Sequence, residues 1–192
     1  MKRVAIFLLM AIAIQASITA KAQTYFDSEN IGTIKIGAGY THDFPGLNGY
    51  TIMGEFSKNI GMNFQGGFGL KSINLNGYPR TKSVKEYTKA TTLDFNLFYI
   101  PFQSETQQLK IGLGYSFSFF KARRAFPLTH NPDIPTTQWP IQDFQGRTSG
   151  ASVLAEYEYT PVESMLTYGI RGAIYKAYDR VFYIGPFVGV RL

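Results

Sequence analysis

The sequence predicts an all-β protein, an eight-stranded antiparallel up-and-down transmembrane β-barrel. Three observations lead to this prediction. Aromatic residues form 16% of the 192 residues and glycine contributes 19, whereas only 17% are charged, a composition that favours strands and turns. Eight segments alternate apolar side chains with polar or small ones, which is the period of a β-strand. The connections between these segments alternate between short and longer stretches, as in outer-membrane barrels.

The first 22 residues predict a cleavable secretory signal peptide. Lys2 and Arg3 precede the apolar run 4–14, and Ala20 and Ala22 provide the small residues of a cleavage site. The run is short for a bilayer-spanning helix of about 20 residues, and a retained N-terminal anchor is the alternative. We therefore divide the chain into a signal peptide, 1–22, and an outer-membrane β-barrel domain, 23–192.

Cleavage would also change the charge of the protein. It would remove three of the 19 basic residues and none of the 13 acidic ones, so the formal charge would fall from +6 to +3. So small an excess on an exported chain argues against nucleic acid as a partner. Cysteine is absent, so the predicted strands are not joined by disulfides.

Eight alternating segments follow the predicted signal peptide. Each has about 9 to 12 residues, close to the length that a tilted strand needs to cross the hydrocarbon layer. Their approximate limits are 33–41, 50–58, 62–71, 91–102, 109–120, 150–159, 165–176 and 181–192. Short turns follow the second, fourth and sixth segments, and longer loops at 42–49, 72–90 and 121–149 follow the first, third and fifth. An even number of strands predicts that both termini lie on the short-turn side, the periplasm.

The two faces of these segments differ in chemistry. In the segment 109–120, Leu, Ile, Tyr and Phe occupy one face, whereas Lys110 shares the other with glycine and serine. Glycine weakens a strand, but inside a narrow barrel it leaves room for long side chains from neighbouring strands. We therefore predict that the apolar face contacts lipid and that the charged face fills the barrel. A secreted lipocalin-like carrier with the two faces reversed is the alternative.

The charged face carries four cations and four anions, which predicts a paired network because an unpaired buried ion would cost several kcal/mol. The predicted interior charge network consists of Lys35, Glu55, Asp94, Lys110, Glu156, Glu158, Arg171 and Arg191. Such a network would obstruct the lumen.

The eight segments, the last strand VFYIGPFVGVRL and the leader together resemble the small OmpA-like outer-membrane β-barrels of Gram-negative bacteria. The resemblance covers nearly the whole chain after the leader. It implies an outer-membrane location and the outer-membrane assembly machinery as a partner. In that family the last strand usually ends in an aromatic residue that this machinery recognises, whereas Leu192 occupies that position here.

Basic residues concentrate in the predicted exposed loops. Because phosphates pair well with Arg and Lys, we expect these residues to contact lipopolysaccharide or another surface partner, and a solvated interfacial girdle is the alternative. The candidate contact residues are Arg80, Lys82, Lys85, Lys89, Lys121, Arg123 and Arg124. The loop 121–149, whose stretch 130–146 contains Trp139 and three prolines, is long enough to have a function of its own.

Catalytic chemistry has little support. The two histidines, His42 and His130, each have a threonine and an aspartate nearby, but no nucleophile elbow accompanies them. Two histidines without cysteine are also a poor basis for a metal site. We therefore predict an integral outer-membrane protein with a structural or surface-interaction role, no enzyme activity, no cofactor and no metal. The alternatives are a narrow porin-like channel for small solutes and an outer-membrane barrel enzyme.

Overall fold

The computed structural model describes residues 32–79, 84–126, 140–176 and 179–192, and the predicted signal peptide lies outside them. These residues form eight strands in one closed barrel, with every strand antiparallel to its sequence neighbours and β1 paired with β8. The strands are β1 (Thr33–Asp43), β2 (Asn48–Gly61), β3 (Phe64–Gly77), β4 (Glu86–Gln103), β5 (Gln107–Ala125), β6 (Ile141–Tyr159), β7 (Leu166–Lys176) and β8 (Arg180–Arg191). The predicted fold class is confirmed. Among the described residues, no helix has the length and apolar character needed to cross a membrane.

The orientation of the two faces follows the prediction. Ile36 and Leu113 are 67% and 68% exposed on the outer wall, whereas Lys35 and Lys110 are fully buried in the interior. Aromatic rings also pack against each other across strands on the outer wall, for example Phe68 and Phe95 with ring centroids 5.2 Å apart. A soluble barrel with its apolar side chains inside, the lipocalin-like alternative, is therefore wrong.

The strands are unequal in length, and the predicted limits of two loops were wrong. β4, β5 and β6 have 18, 19 and 19 residues, whereas β1 and β7 have 11. The predicted loops 72–90 and 121–149 contain strand at both of their ends. There the outer face carries polar residues: in β3, Ser72, Asn74 and Asn76 lie outside while Ile73 and Leu75 are buried. The outward apolar stripe that marks the predicted segments therefore ends, although the backbone pairing continues.

The outer parts of β4, β5 and β6 continue the sheet on one side of the barrel, where β3 also pairs with β4 from Ser72 with Thr91 to Gly77 with Glu86. β5 and β6 pair along their whole length, from Gln107 with Tyr159 to Ala125 with Ile141. β6 pairs with β7 only between Ser152 and Tyr159. Among the described residues, 141–151 of β6 have a strand on one side only. We call the paired outer parts of these three strands, residues 86–93, 117–125 and 141–151, the extended sheet.

The interior is less polar than the sequence analysis predicted. A layer of buried apolar and aromatic side chains lies among the charges. It consists of Met53, Phe98, Leu154, Ala173, Tyr175, Val181, Tyr183 and Phe187.

Two of the interior glycines make room for rings of this layer. A Cβ atom at Gly169 would lie 2.2 Å from Cζ of Phe187, and one at Gly112 would lie 2.6 Å from Cδ1 of Phe98. The glycines therefore accommodate aromatic rings, as well as the long charged side chains that were expected beside them.

Candidate functional site

Arg171 of β7 is the centre of the largest interior charge network. Its guanidinium donates to both carboxylate oxygens of Glu55, over 2.9 Å from Nη1 to Oε2 and 2.6 Å from Nη2 to Oε1. The same group donates through Nε to Oε2 of Glu156 over 2.8 Å, and Nη2 contacts that oxygen as well. Asn96 donates to Glu55 Oε2 over 2.7 Å. Strands β2, β4, β6 and β7 are thus connected across the lumen by charge-assisted hydrogen bonds.

Two lysines complete this network. Lys35 Nζ lies 2.5 Å from Glu156 Oε1 and 2.8 Å from Glu158 Oε2. Lys110 Nζ donates to Glu158 Oε2 over 2.6 Å and to Gln65 Oε1 over 2.9 Å. Because these side chains are buried, their pairing offsets a desolvation cost that each would otherwise impose.

The remaining two residues of the predicted network have separate places. Arg191 lies at the end of β8, where Nη2 is 3.8 Å from Glu158 Oε1 and the side chain is 20% exposed. Asp94 lies elsewhere in the lumen, 2.6 Å from Lys71 Nζ. The structure thus places all eight predicted residues in the interior and gives each one an oppositely charged partner.

Lys71 was missed in the sequence analysis. It is buried, its Nζ lies 3.4 Å from the ring centroid of Tyr175, and its partner Asp94 also accepts a hydrogen bond from Ser116 over 2.6 Å. The sequence could have indicated this position, because Lys71 and Gln65 are an even number of residues apart in one strand and therefore lie on the same face. The residue was assigned to the end of a segment, where the alternation is weakest.

Arg124 corrects the prediction of a surface contact. The side chain points into the barrel and is 2% exposed, with Nη2 2.9 Å from Asp43 Oδ2 and 3.2 Å from Asp179 Oδ2. Nη1 lies 3.7 Å from Glu86 Oε2. The reason is parity, since Arg124 and the interior residue Lys110 are separated by an even number of positions in β5. We call Arg124 with its three carboxylates the mouth cluster, because it joins β1, β4, β5 and the β7–β8 connection near their outer ends.

The other predicted contact residues have different surroundings. Lys85, Lys89 and Lys121 are exposed, whereas Arg80 and Lys82 lie outside the described residues. Arg123 forms a two-pronged pair with Asp143, over 2.8 Å from Nε to Oδ1 and 3.0 Å from Nη2 to Oδ2. These hydrogen bonds lower the pKa of Asp143 and raise the pKa of Arg123. The charge of Arg123 is therefore matched locally.

A further cation of the outer wall, Arg147, was not predicted. It is exposed in β6, and its guanidinium lies 5.4 Å from the ring centroid of Phe119. β6 pairs Arg147 with Phe119 and Gln145 with Lys121. Arg147 fell in a region that was predicted to be a loop, so its face could not be assigned from the alternation.

The described residues give no support to a catalytic or metal site. His42 Nδ1 lies 2.9 Å from Asn48 Oδ1 on the outer side. Its neighbours Thr41 and Asp43 point inward, where Thr41 contacts the Thr51 hydroxyl and Asp43 contacts Arg124. The described part of the chain contains no group of three or more potential metal ligands, and His130 lies outside it.

The fold is shared with solved outer-membrane proteins. No protein-family model matches this sequence, and no curated protein matches it either. The structure is similar to Ail, the attachment invasion locus protein of Yersinia pestis, with a TM-score of 0.51, 11% identity and coverage of 86% of this chain and 100% of Ail. It is similar to Neisserial surface protein A, with a TM-score of 0.52, 15% identity and coverage of 84% of this chain and 97% of that protein. The resemblance to small OmpA-like barrels is confirmed at the level of the fold, which is a closed eight-stranded antiparallel β-barrel like those of these two proteins.

Proposed function

We propose that this protein is a sealed outer-membrane barrel that acts through its outer surface, in a structural or surface-interaction role. The observation that supports this role is the extended sheet. A strand needs about 9 to 11 residues to cross the hydrocarbon layer, so the 18 or 19 residues of β4, β5 and β6 leave about eight beyond it. At about 3.3 Å per residue, this is roughly 25 Å of strand, measured along the tilted strands from the edge of the hydrocarbon layer through the head-group region.

The orientation of the barrel follows from this difference in length. The connections opposite the extended sheet, at 62–63, 104–106 and 160–165, are short turns, and β1 begins and β8 ends on that side. Outer-membrane barrels have short periplasmic turns and longer extracellular loops. In our proposal the extended sheet is therefore on the cell surface and the termini are periplasmic.

The edge of β6 that has no described strand beside it supports an interaction role for the extended sheet. Residues 141–151 present backbone groups on the side that faces away from β5, and most of their side chains are exposed. Unpaired strand edges bind extended segments of other chains by adding a strand. The exposed cations Lys85, Lys89 and Lys121 lie on the same side of the barrel, where lipopolysaccharide phosphates would be available to them.

A channel role has less support than a surface role. The ion pairs around Arg171 and the apolar layer lie inside the lumen between the strands, and the mouth cluster lies nearer its outer end. We therefore expect the purified protein to give planar bilayers no conductance above that of the empty membrane. Reproducible conductance steps that change when Arg171 is replaced would instead support the porin-like alternative.

The surface role is tested by shortening the extended sheet. Phe119 and Arg147 are opposite each other in β5 and β6, so an Asn-Gly turn can join them in place of residues 120–146. The shortened form also carries Asp43→Asn and Glu86→Gln, because the deletion removes Arg124, which pairs with these two buried carboxylates. We expect the shortened barrel to reach the outer membrane and to migrate differently in gels when unheated and boiled. Cells that display it should lose the autoaggregation and attachment to coated plates that the full-length protein confers. If the shortened and full-length proteins are displayed in equal amounts and the cells attach equally well, the proposed surface role is contradicted.

A further inference from the structure

We propose that the outer wall of β3 to β6 holds a specific site for a phosphate-bearing lipid of the outer leaflet, of the lipid A class. The site consists of Lys89, Lys121, Arg147 and Phe119, which we call the outer-wall patch. These residues line a concave region of about 650 Å³ together with side chains of β3 and β6. The inference rests on the proposed surface orientation, and it assigns one ligand class and one place to the expected lipopolysaccharide contact.

Strand pairing brings the three cations together on one surface. Lys89 is directly opposite Lys121 in β4 and β5, and Phe119 is directly opposite Arg147 in β5 and β6. Directly opposite side chains have Cβ atoms about 4.5 to 5.5 Å apart. Like charges at such positions destabilise a sheet, so the pair Lys89 and Lys121 is unfavourable unless an anion lies between them. A phosphate has the charge and the oxygen atoms to bridge both ammonium groups.

The charges of the patch are not neutralised by the described protein. One row further from the barrel, Arg123 is opposite Asp143 and binds it with two hydrogen bonds. The two rows of the patch, in contrast, contain no carboxylate. Across β3 to β6 these rows are Asn74, Lys89, Lys121 and Gln145, and then Ser72, Thr91, Phe119 and Arg147. The neighbouring rows therefore differ in whether the protein supplies the counter-charge.

The surface below the patch identifies the rest of the ligand. The next row toward the membrane contains Leu70, Leu93 and Phe117, all on the outer wall. Phe117 packs edge-on against Phe95, with ring centroids 6.4 Å apart. Cations directly above an apolar aromatic wall match a molecule with an anionic head group and acyl chains. A free phosphate ion would use only the upper half of this surface.

Phe119 fixes the geometry of the patch. Its ring is half exposed and lies under the guanidinium of Arg147 at 5.4 Å, a distance at which a cation and an aromatic face attract each other. The stacked guanidinium retains its N–H donors for a phosphate, and its planar fork favours two-pronged binding. Arg147 is thus the expected specific contact, with Lys89 and Lys121 as point charges.

The test measures binding of purified bisphosphorylated lipid A to the refolded full-length protein by native mass spectrometry in a mild detergent. The test variant carries Lys89→Gln, Lys121→Gln and Arg147→Gln. Because a basic residue near an anionic lipid surface contributes about fivefold to binding, we expect the triple variant to bind about a hundredfold more weakly. Heat-modifiable gel mobility of each variant shows that the barrel is folded.

Two matched variants and two further ligands make the result specific. Arg123→Gln removes a cation that Asp143 already pairs, and Lys58→Gln removes an exposed cation near the opposite end of β2. Both should bind lipid A within twofold of the unmodified protein. The unmodified protein should bind dephosphorylated lipid A as weakly as the triple variant binds intact lipid A. Inorganic phosphate, added at the same concentration as lipid A, should not displace lipid A from the unmodified protein.

Three results would overturn the inference. They are equal binding by the triple variant, an equal loss with Arg123→Gln, and full competition by inorganic phosphate. None of these results affects the attachment of cells through the extended sheet, so the site can fail while the proposed surface role stands. Conversely, if the attachment assay contradicts the surface role, the purified full-length protein should still bind lipid A.

Discussion

The cations inside the barrel and those on the outer wall have opposite surroundings. Six cations of the described interior each lie within 4.0 Å of at least one carboxylate oxygen, and they are Lys35, Lys71, Lys110, Arg124, Arg171 and Arg191. In the outer-wall patch, no described carboxylate is placed opposite Lys89, Lys121 or Arg147. An interior cation has no access to another partner, so the protein must provide one. A cation on the wall can take its partner from the membrane.

Replacing Arg171 by methionine should have the largest effect on stability. The substitution leaves Glu55 and Glu156 buried without their main partner, and breaking a buried pair from one side costs about 3 to 5 kcal/mol. We expect the midpoint of urea unfolding in lipid vesicles to fall accordingly, with the folded fraction followed by heat-modifiable gel mobility. Arg191→Met is the control, because Arg191 is 20% exposed and lies 3.8 Å from Glu158. Equal losses for both variants would mean that burial does not decide the value of these pairs.

Replacing Arg124 by methionine should destabilise the barrel less than the change at Arg171. Arg124 also has buried partners in Asp43 and Glu86, but Asp179 is 32% exposed and can be solvated when the pair is broken. We expect a loss of about 3 kcal/mol, near the lower end for a buried pair. Hydrogen exchange should show the loss mainly in the outer ends of β1 and β5. Uniformly faster exchange around the whole barrel would contradict a local role for the mouth cluster.

Alanine in place of Gly169 should have a smaller effect, through packing alone. The new Cβ atom would meet the ring of Phe187 at 2.2 Å and the carbonyl oxygen of Tyr157 at 2.4 Å. Overpacking of this kind costs about 1 to 3 kcal/mol. Gly172 is a matched control in the same strand, since a Cβ atom there would have no heavy atom within 4 Å. We expect Gly172→Ala to refold like the unmodified protein, and an equal loss at both sites would point to backbone propensity instead of packing.

The interior charges could be predicted from the sequence because burial leaves a clear periodic signal. Lys35, Lys110 and Arg171 alternate with apolar residues that face lipid, so parity alone places them inside. The same rule places Lys71 and Arg124 inside, but both lie at or beyond the predicted ends of their segments. There the outer face is no longer apolar, and a strand cannot be distinguished from a loop by periodicity.

The outer-wall patch could not be predicted for a related reason. It depends on which residues of β4, β5 and β6 are opposite each other, and that register is set by pairing over the whole sheet. Lys89 and Lys121 were recognised as basic residues of two separate loops, and Arg147 was not recognised at all. Composition identified part of the chemistry, whereas only the register shows that Lys89 and Lys121 are adjacent and that Asp143 neutralises Arg123.

The smallest expected effect concerns Arg123, which is already paired on the outer wall. Asp143→Asn would remove the carboxylate that Arg123 binds and would leave a fourth available cation one row beyond the patch. Lipid A binding by the purified protein should then increase by up to about fivefold. Binding that stays the same would show that the row of Arg123 is too far from the lipid head group.

Lowering the pH should reproduce this change only under strongly acidic conditions. The hydrogen bonds from Arg123 hold the pKa of Asp143 below its ordinary value of 3.8. Because the pKa is lower in the folded state, the pair is fully present above the ordinary value and is lost as the pH falls through the lowered one. An NMR titration of the Asp143 carboxyl carbon should therefore give a midpoint below 3.8. A midpoint above 3.8 would mean that Arg123 is not bound to Asp143 in solution and already contributes to the charge of the outer wall.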